Sequence, residues 1–318
     1  MANKTGLPVI YLMGPTASGK TELAVDLVRE HPFEIISVDS AMVYRGLDIG
    51  TAKPTAEQQR EAPHHLIDIC DPAEAYSAAR FRADAEVLIG AIHRRGRIPL
   101  LVGGTGLYFR SLEQGLTALP AADPAVRREL EEEAEIVGWE GLHERLQRID
   151  PEAAARIHPN DPQRIQRALE VYATSGVPLS EHFAGKTEIP MSHELIKVMI
   201  CPQDRQDIRT AVEQRFQHML EAGFEREVRG LYQRNDLHAA LPSMRLVGYR
   251  QMWQYLEGEL DYDTMREHAI VATRQLAKRQ LTWFRRETGG RWFDSRDRQS
   301  RHKILKYLAE NPNLAAIM

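Results

Sequence analysis

Cysteine is nearly absent from this chain: Cys70 and Cys201 stand alone among 318 residues. Two isolated thiols build neither a zinc site nor a disulfide framework, and they point to a reducing, cytoplasmic compartment. Long apolar runs are missing as well. No segment reads as a membrane span, and the polar start Met1–Gly6 lacks the apolar core of a signal peptide. Neither sign of charge dominates. A formal net charge of −4 argues against a globally basic nucleic-acid binder, but it leaves room for a local basic face. His64-His65 and the other histidines show no metal-ligand spacing, and there is no internal repeat or low-complexity tract. What the chain does have is apolar residue: 43% is ample for a core in one large domain or a domain with an insertion.

Against that background, Gly14-Pro15-Thr16-Ala17-Ser18-Gly19-Lys20-Thr21 stands out as a complete G-x-x-x-x-G-K-[ST] phosphate loop. It follows the apolar run Val9–Met13 and precedes Glu22–Val28, which has helical spacing. Strand, loop and helix are the setting in which such a loop works. Its backbone N–H groups and the positive helix end hold an anion, Lys20 adds charge, and the Thr21 hydroxyl ligates Mg²⁺. The ligand class is thus a polyphosphate with a metal ion. The loop alone would be read as ATP-binding.

Strand-like Pro8–Met13, Glu34–Val38 and Ile98–Val102 alternate with helix-like Thr21–Arg29 and Ala78–Arg95. This alternation predicts a parallel sheet flanked by helices. After Pro120 the pattern becomes charged and helical. Asp123-Pro124, Asp150-Pro151 and Asp161-Pro162 repeat a helix-start signal, Asp as cap and Pro at the first position. Glu194–Ile200 reads as a strand rejoining the sheet. Long helices are expected over Asp204–Ala222 and Tyr262–Arg286. The fold class is therefore α/β, a P-loop NTPase-like core with a parallel sheet flanked by helices, plus an all-helical insertion domain. Residues 1–120 and 194–318 form the core with its C-terminal helices, and 121–193 form the insertion.

Two further loops fall at the carboxyl edge of that sheet, where ligands bind in open α/β folds. Ile35–Val38 runs into Asp39, a candidate general base or metal-associated acid. Val102 runs into Gly103-Gly104-Thr105-Gly106, a tight turn offering a hydroxyl. Basic residues gather towards the C-terminus: Arg245, Arg250, Arg274, Lys278, Arg279, Arg285 and Arg286. Arg274 and Lys278 share a helix face. With Gln163-Arg164-Ile165-Gln166-Arg167 in the insertion, this chemistry favours RNA. Trp253, Trp283 and Phe284 are read as core rather than stacking platforms.

Asp39-Ser40-Ala41-Met42-Val43-Tyr44-Arg45-Gly46-Leu47-Asp48-Ile49-Gly50-Thr51-Ala52-Lys53-Pro54 resembles the signature of tRNA dimethylallyltransferases, also called tRNA isopentenyltransferases. Ala62–Asp68, Leu101–Tyr108, His158–Asp161, Arg245–Gln251 and Thr273–Gln280 extend the resemblance, in order, across about residues 8–286. It implies transfer of a dimethylallyl group from dimethylallyl diphosphate to N6 of adenosine 37 in the tRNA anticodon stem-loop. On this reading Gly14–Thr21 and Arg215 hold diphosphate with Mg²⁺. Asp39 takes the proton of the adenine amine, and Thr105 lies near the reacting atoms. The flipped base would enter the site.

The segments implied as tRNA contacts are Asp39, Ser40, Ala41 and Met42, with Thr105 and Arg127. Gln163, Arg164, Ile165, Gln166 and Arg167 form another. Arg245, Leu246, Val247, Gly248, Tyr249 and Arg250 follow. Thr273, Arg274, Gln275, Leu276, Ala277, Lys278, Arg279 and Gln280 complete the set. A cytoplasmic monomer is expected. Position 42 departs from the pattern, being Met where many members carry Gln, and the cysteine-rich module of larger members is absent. Residues 291–318 carry none of the resemblance. Arg296, Arg298, Arg301 and Lys303 there are open to RNA contact or to a role in solubility. The competing classes are an ATP-dependent small-molecule or nucleotide kinase and a regulatory P-loop NTPase.

Overall fold

The computed structural model describes residues 7–184 and 193–318. The polar start Met1–Gly6 and the insertion's last stretch, 185–192, lie outside the described residues.

Strand β1 (Val9–Met13) enters the phosphate loop and helix α1 (Lys20–Glu30) leaves it. β2 (Phe33–Val38) is followed by α2 (Ala56–Glu61), the two-residue β3 (His64–His65), α3 (Ala78–Arg94), β4 (Ile98–Gly103) and α4 (Gly106–Gln114). The helices α5 (Pro124–Ile149), α6 (Pro151–Arg156), α7 (Pro162–Ser175) and α8 (Leu179–Ala184) come next. The chain returns through β5 (Leu195–Cys201), then α9 (Arg205–Glu221), α10 (Phe224–Tyr232), α11 (Tyr249–Leu256) and α12 (Tyr262–Phe284). It closes with β6 (Gly290–Asp294), α13 (Ser300–Ala309) and α14 (Pro312–Ala315).

The six strands form one parallel sheet in the order β3-β2-β4-β1-β5-β6. Every residue of β1 and β4 is buried, as parallel strands covered on both faces must be. The order sets β2, β4 and β1 side by side, with Gly103 in register with both Val38 and Met13. Their carboxyl ends therefore stop in line. Position 103 must be glycine for this: a Cβ there would lie 2.0 Å from the Val38 carbonyl oxygen.

The C-terminal stretch left open by the sequence proves structural. β6 adds the sixth strand beside β5, and Ile304, Leu308 and Leu314 are fully buried in the main core with Ile10, Leu12 and Val198. Arg301 pairs with Glu30, Arg296 with Asp207 at 3.8 Å, and Lys303 with Asp297 at 2.6 Å.

The chain divides into two compact units, residues 7–111 with 193–318, and 112–184. In the second, all three Asp-Pro signals start helices. Asp123 accepts the Ala125 amide at 2.8 Å, Asp150 that of Ala153 at 2.9 Å, and Asp161 that of Arg164 at 3.2 Å. Pro at the first turn costs nothing because its missing N–H has no helical partner. The first of these helices breaks at Gly138, whose φ of 73° suits glycine. Leu130, Leu142, Leu146, Ile165 and Leu169 form this unit's own core.

Candidate active site

β1 delivers Gly14 to the sheet edge, where its amide donates to Gly103 O at 3.3 Å. The loop then turns through two left-handed residues, Ala17 (φ 63°) and Gly19 (φ 81°). Such a conformation costs about 1–2 kcal/mol at alanine and persists where the surroundings enforce it. No side chain caps the N-terminus of α1, so its amides stay open to a ligand. The Ser18 hydroxyl is buried and has no hydrogen-bond partner among the described residues. A buried unpaired hydroxyl beside uncapped amides fits a bound anion with its cation. Lys20 Nζ donates to Pro15 O at 3.1 Å and thereby arches over the loop.

β2 ends at Asp39. Its Oδ1 accepts the amides of Ala41 (2.8 Å) and Met42 (3.3 Å), which fixes the carboxylate; Oδ2 takes no hydrogen bond from the described residues. β4 ends at the Gly103-Gly104-Thr105 turn, with Thr105 N–H on Val38 O at 3.2 Å. The Thr105 Oγ1 in turn accepts the Ser40 amide at 3.2 Å. Asp39 and Thr105 are thus held in one hydrogen-bonded corner beside the phosphate loop.

Two side chains from distant helices close the arrangement. Arg215 of α9 donates to Thr16 Oγ1 at 3.0 Å and to Thr51 O at 3.2 Å. Gln280 of α12 accepts the Thr16 amide at 2.8 Å and donates to Gly104 O at 3.1 Å. Burial pulls the Lys20 ammonium down to about 8, opposed by the negative charge of Asp39 and reinforced by Arg215. Burial likewise lowers the Arg215 guanidinium, with Asp39 opposing. One anion and two desolvated cations therefore share a single field. The first unit also holds a cleft of about 820 Å³ bordered by Ala17, Ser18, Gly19, Lys53, Arg215 and His218.

The loop between β2 and α2 is held from behind. Glu227 accepts the amides of Asp48 (3.0 Å), Ile49 (2.6 Å) and Gly50 (3.2 Å), and the Tyr249 hydroxyl at 2.5 Å. Lys53 donates to Tyr44 O at 2.6 Å and pairs with Asp48 and Asp68 at 2.7 and 2.5 Å. Sequence reasoning gave Glu227 no role, since an acid on a charged helix reads as solvated surface. The structural reason for Gly50 was equally hidden: a Cβ there would meet the Phe224 ring at 2.3 Å.

The predicted RNA-contact segments divide by exposure. Arg245, Arg250, Gln275, Lys278 and Arg279 are exposed, whereas Ile165, Tyr249 and Ala277 are buried in cores. Trp253 and Phe284 are buried, but Trp283 is only half-buried in a shallow groove with Lys278, Arg279, Thr282 and Arg286. In the helical unit, Arg127 and Arg167 both hydrogen-bond the fully buried Glu170, at 2.8 and 2.6 Å. Arg164 pairs with Asp161 at 3.4 Å, and Gln166 donates to Glu131 at 3.0 Å. Among the described residues no group of three or more His, Cys, Asp or Glu side chains could hold a metal ion. No helix among them is long and apolar enough to cross a membrane.

Residues 42–287 match the family model described as IPP transferase, and residues 7–68 match one described as isopentenyl transferase. A tRNA dimethylallyltransferase of Thioalkalivibrio sulfidiphilus is 60% identical over 89% of this chain and 88% of its own length. A full-length tRNA isopentenylpyrophosphate transferase of Bacillus halodurans superposes with a TM-score of 0.70, at 38% identity over 97% of both chains. A eukaryotic dimethylallyltransferase captured acting on tRNA matches with a TM-score of 0.79, at 26% identity over 98% of this chain and 81% of its own. The parallel sheet, its phosphate loop and these likenesses agree: the chain belongs to the IPP transferase family of tRNA dimethylallyltransferases.

Proposed function

We propose that this protein transfers a dimethylallyl group from dimethylallyl diphosphate to N6 of adenosine 37 in tRNA. The observation that carries the reading is the alignment of three strand ends: Asp39, Thr105 and the phosphate loop meet at one edge, inside one electrostatic field. A fixed carboxylate with a free oxygen serves a kinase equally well, so it is the family likeness that turns this corner towards prenyl transfer.

The amine of a flipped adenine attacks carbon 1 of the donor, the carbon–oxygen bond breaks, and diphosphate leaves. The N6 proton passes to Asp39, whose Oδ2 is open while Oδ1 is tied to Ala41 and Met42. Thr105 accepts the amide of Ser40, the residue that follows Asp39, which holds its hydroxyl in the same corner. Negative charge grows on the leaving group where Lys20, Arg215 and the open amides of α1 point. Mg²⁺ suits the hard oxygen set there, the Thr21 hydroxyl with diphosphate oxygens and water, and when bound it would neutralise further charge on the leaving group. The exposed Arg245, Arg250, Lys278 and Arg279 supply phosphate contacts for RNA. The helical unit is the proposed second RNA-binding region, and the setting is the cytoplasm.

Labelled dimethylallyl diphosphate, an adenosine-37 tRNA and Mg²⁺ should give labelled tRNA. Transfer of the ATP γ-phosphate with no prenyl transfer would overturn the proposal in favour of a kinase.

A further inference from the structure

We propose that Gln280 is a positioning residue for group transfer, setting the spacing between the phosphate loop and the Gly103-Gly104-Thr105 turn, and that it does not contact RNA. The inference rests on the function proposed above. It separates Gln280 from Lys278 and Arg279, the exposed neighbours with which the sequence grouped it.

The carboxamide is used at both ends. Oε1 accepts the Thr16 amide at 2.8 Å, and Nε2 donates to Gly104 O at 3.1 Å. A carboxamide presents an acceptor and a donor side by side without needing to be protonated, and the reach from α12 calls for Gln rather than the shorter Asn. The fit leaves no slack: a Cβ on residue 104 would lie 2.4 Å from Gln280 Nε2, so Gly104 is glycine where the carboxamide sits.

Each bond touches a part of the reaction. Thr16 is gripped twice, its amide by Gln280 and its hydroxyl by Arg215 at 3.0 Å. That amide is therefore already satisfied, and the donors left for the diphosphate begin at Ala17. On the other side, Gly104 leads directly into Thr105, which receives the Ser40 amide beside Asp39. Gln280 thus ties the seat of the leaving group to the corner that holds the proton acceptor. Reacting atoms must come within about 3–3.5 Å in the right orientation, and small displacements there are costly in rate.

Two variants test this. Gln280→Met keeps the size and removes both bonds. Gln280→Glu keeps the acceptor for Thr16 but sets a carboxylate against the Gly104 carbonyl. Inorganic diphosphate affinity with Mg²⁺, kcat and KM for dimethylallyl diphosphate, and tRNA affinity with its salt dependence should be measured for each. Gln280→Met should lose about tenfold or more in kcat and several-fold in diphosphate affinity, with tRNA affinity within about twofold of wild type. Gln280→Glu should lose kcat to a similar extent but keep diphosphate affinity closer to wild type, because its acceptor for the Thr16 amide remains. This split between the two variants distinguishes positioning from a general loss of fold, which would lower both quantities in both variants.

Weakened tRNA binding with a reduced salt slope, alongside intact kcat and diphosphate affinity, would overturn the inference and return Gln280 to the RNA face. So would two variants that lose kcat and diphosphate affinity in the same proportion. If the wild-type protein transfers no prenyl group, the functional reading fails instead. The diphosphate measurement then still decides whether Gln280 shapes the loop.

Discussion

Lys20 and Arg215 in the sheet unit, and Arg127 and Arg167 in the helical unit, are all cations that the sequence marks as functional, yet their surroundings are opposite. The first two are bonded, among the described residues, to uncharged oxygens: Pro15 O, Thr16 Oγ1 and Thr51 O. Both are held below their ordinary values by burial. The second two surround Glu170, which is fully buried and also accepts the Asp123 amide at 2.9 Å. Burial alone would raise the Glu170 carboxyl, but hydrogen bonds from Arg127, Arg167 and the Asp123 amide outweigh it and hold it low. Two desolvated cations that share one anion carry an excess of positive charge, a cost that an anionic ligand relieves. A cation already joined to a buried anion holds helices together. Residue type alone does not separate the two; the neighbours do.

The sharpest break of this comparison is Lys20→Met. It should lower kcat/KM for the prenyl donor by about 10²–10³, as loss of one group stabilising a leaving anion does, and leave tRNA affinity unchanged. The wild type adds a pH signature. Its ammonium, lowered to about 8, is charged below that pH and lost above it. Donor affinity should hold up to pH about 8 and then decline, and the variant should lack that limb. Stability runs the other way: the unfolded lysine keeps its proton to higher pH, so the fold gains as pH rises above 8. A flat affinity profile from pH 7 to 10 in the wild type would remove Lys20 from the leaving-group role.

Asp39→Ala removes the one anion in the field of both cations. Turnover should fall by about 10²-fold or more, with tRNA still bound, if Asp39 takes the amine proton. Single-turnover rates at saturating tRNA are the measurement, and wild-type rates would exclude Asp39 as the base.

Glu170→Ala belongs to the other side. It strips the counter-ion from two arginines that still reach solvent, and it leaves the Asp123 amide unpaired. The expected cost is about 2–3 kcal/mol of stability, with little change in donor affinity. Because Glu170 is held low in the fold, its contribution is complete above the unfolded value near 4.3 and fades as pH falls further. The stability gap between wild type and variant in thermal melts should therefore be widest near pH 7 and narrow as the pH falls towards 3. Lost tRNA binding at unchanged stability would instead make Arg127 and Arg167 RNA ligands in their own right.

The sequence revealed those parts whose chemistry is local. The phosphate loop, Asp39 at a strand end and the three Asp-Pro caps each depend on residues within one turn of each other. Parts built by distant residues were hidden. Gln280 lies 264 positions from Thr16, and helical spacing reports a face, not which of its residues points inward. Glu227 reaches Asp48 across 179 positions. β6 escaped because, of Gly290–Asp294, only Phe293 is buried, too little pattern to mark a strand. Ile165 and Ala277 fell inside segments matched as RNA contacts although both are core, since a matched segment carries its structural residues along with its functional ones.

The smallest effect tests the outer face of α12. Lys278 is exposed, and it lines a groove with Arg279, Thr282, Trp283 and Arg286. A single phosphate contact adds modest affinity and releases about one counterion. Lys278→Ala should therefore weaken tRNA binding a few-fold and reduce the salt slope by about 1, with donor affinity and stability untouched. Charge here has neither the desolvation of Lys20 nor the buried partner of Arg127, so it marks a third environment between the two compared above. An unaltered salt slope would mean that this face is merely solvated, and that the RNA is gripped by Arg245 and Arg250 instead.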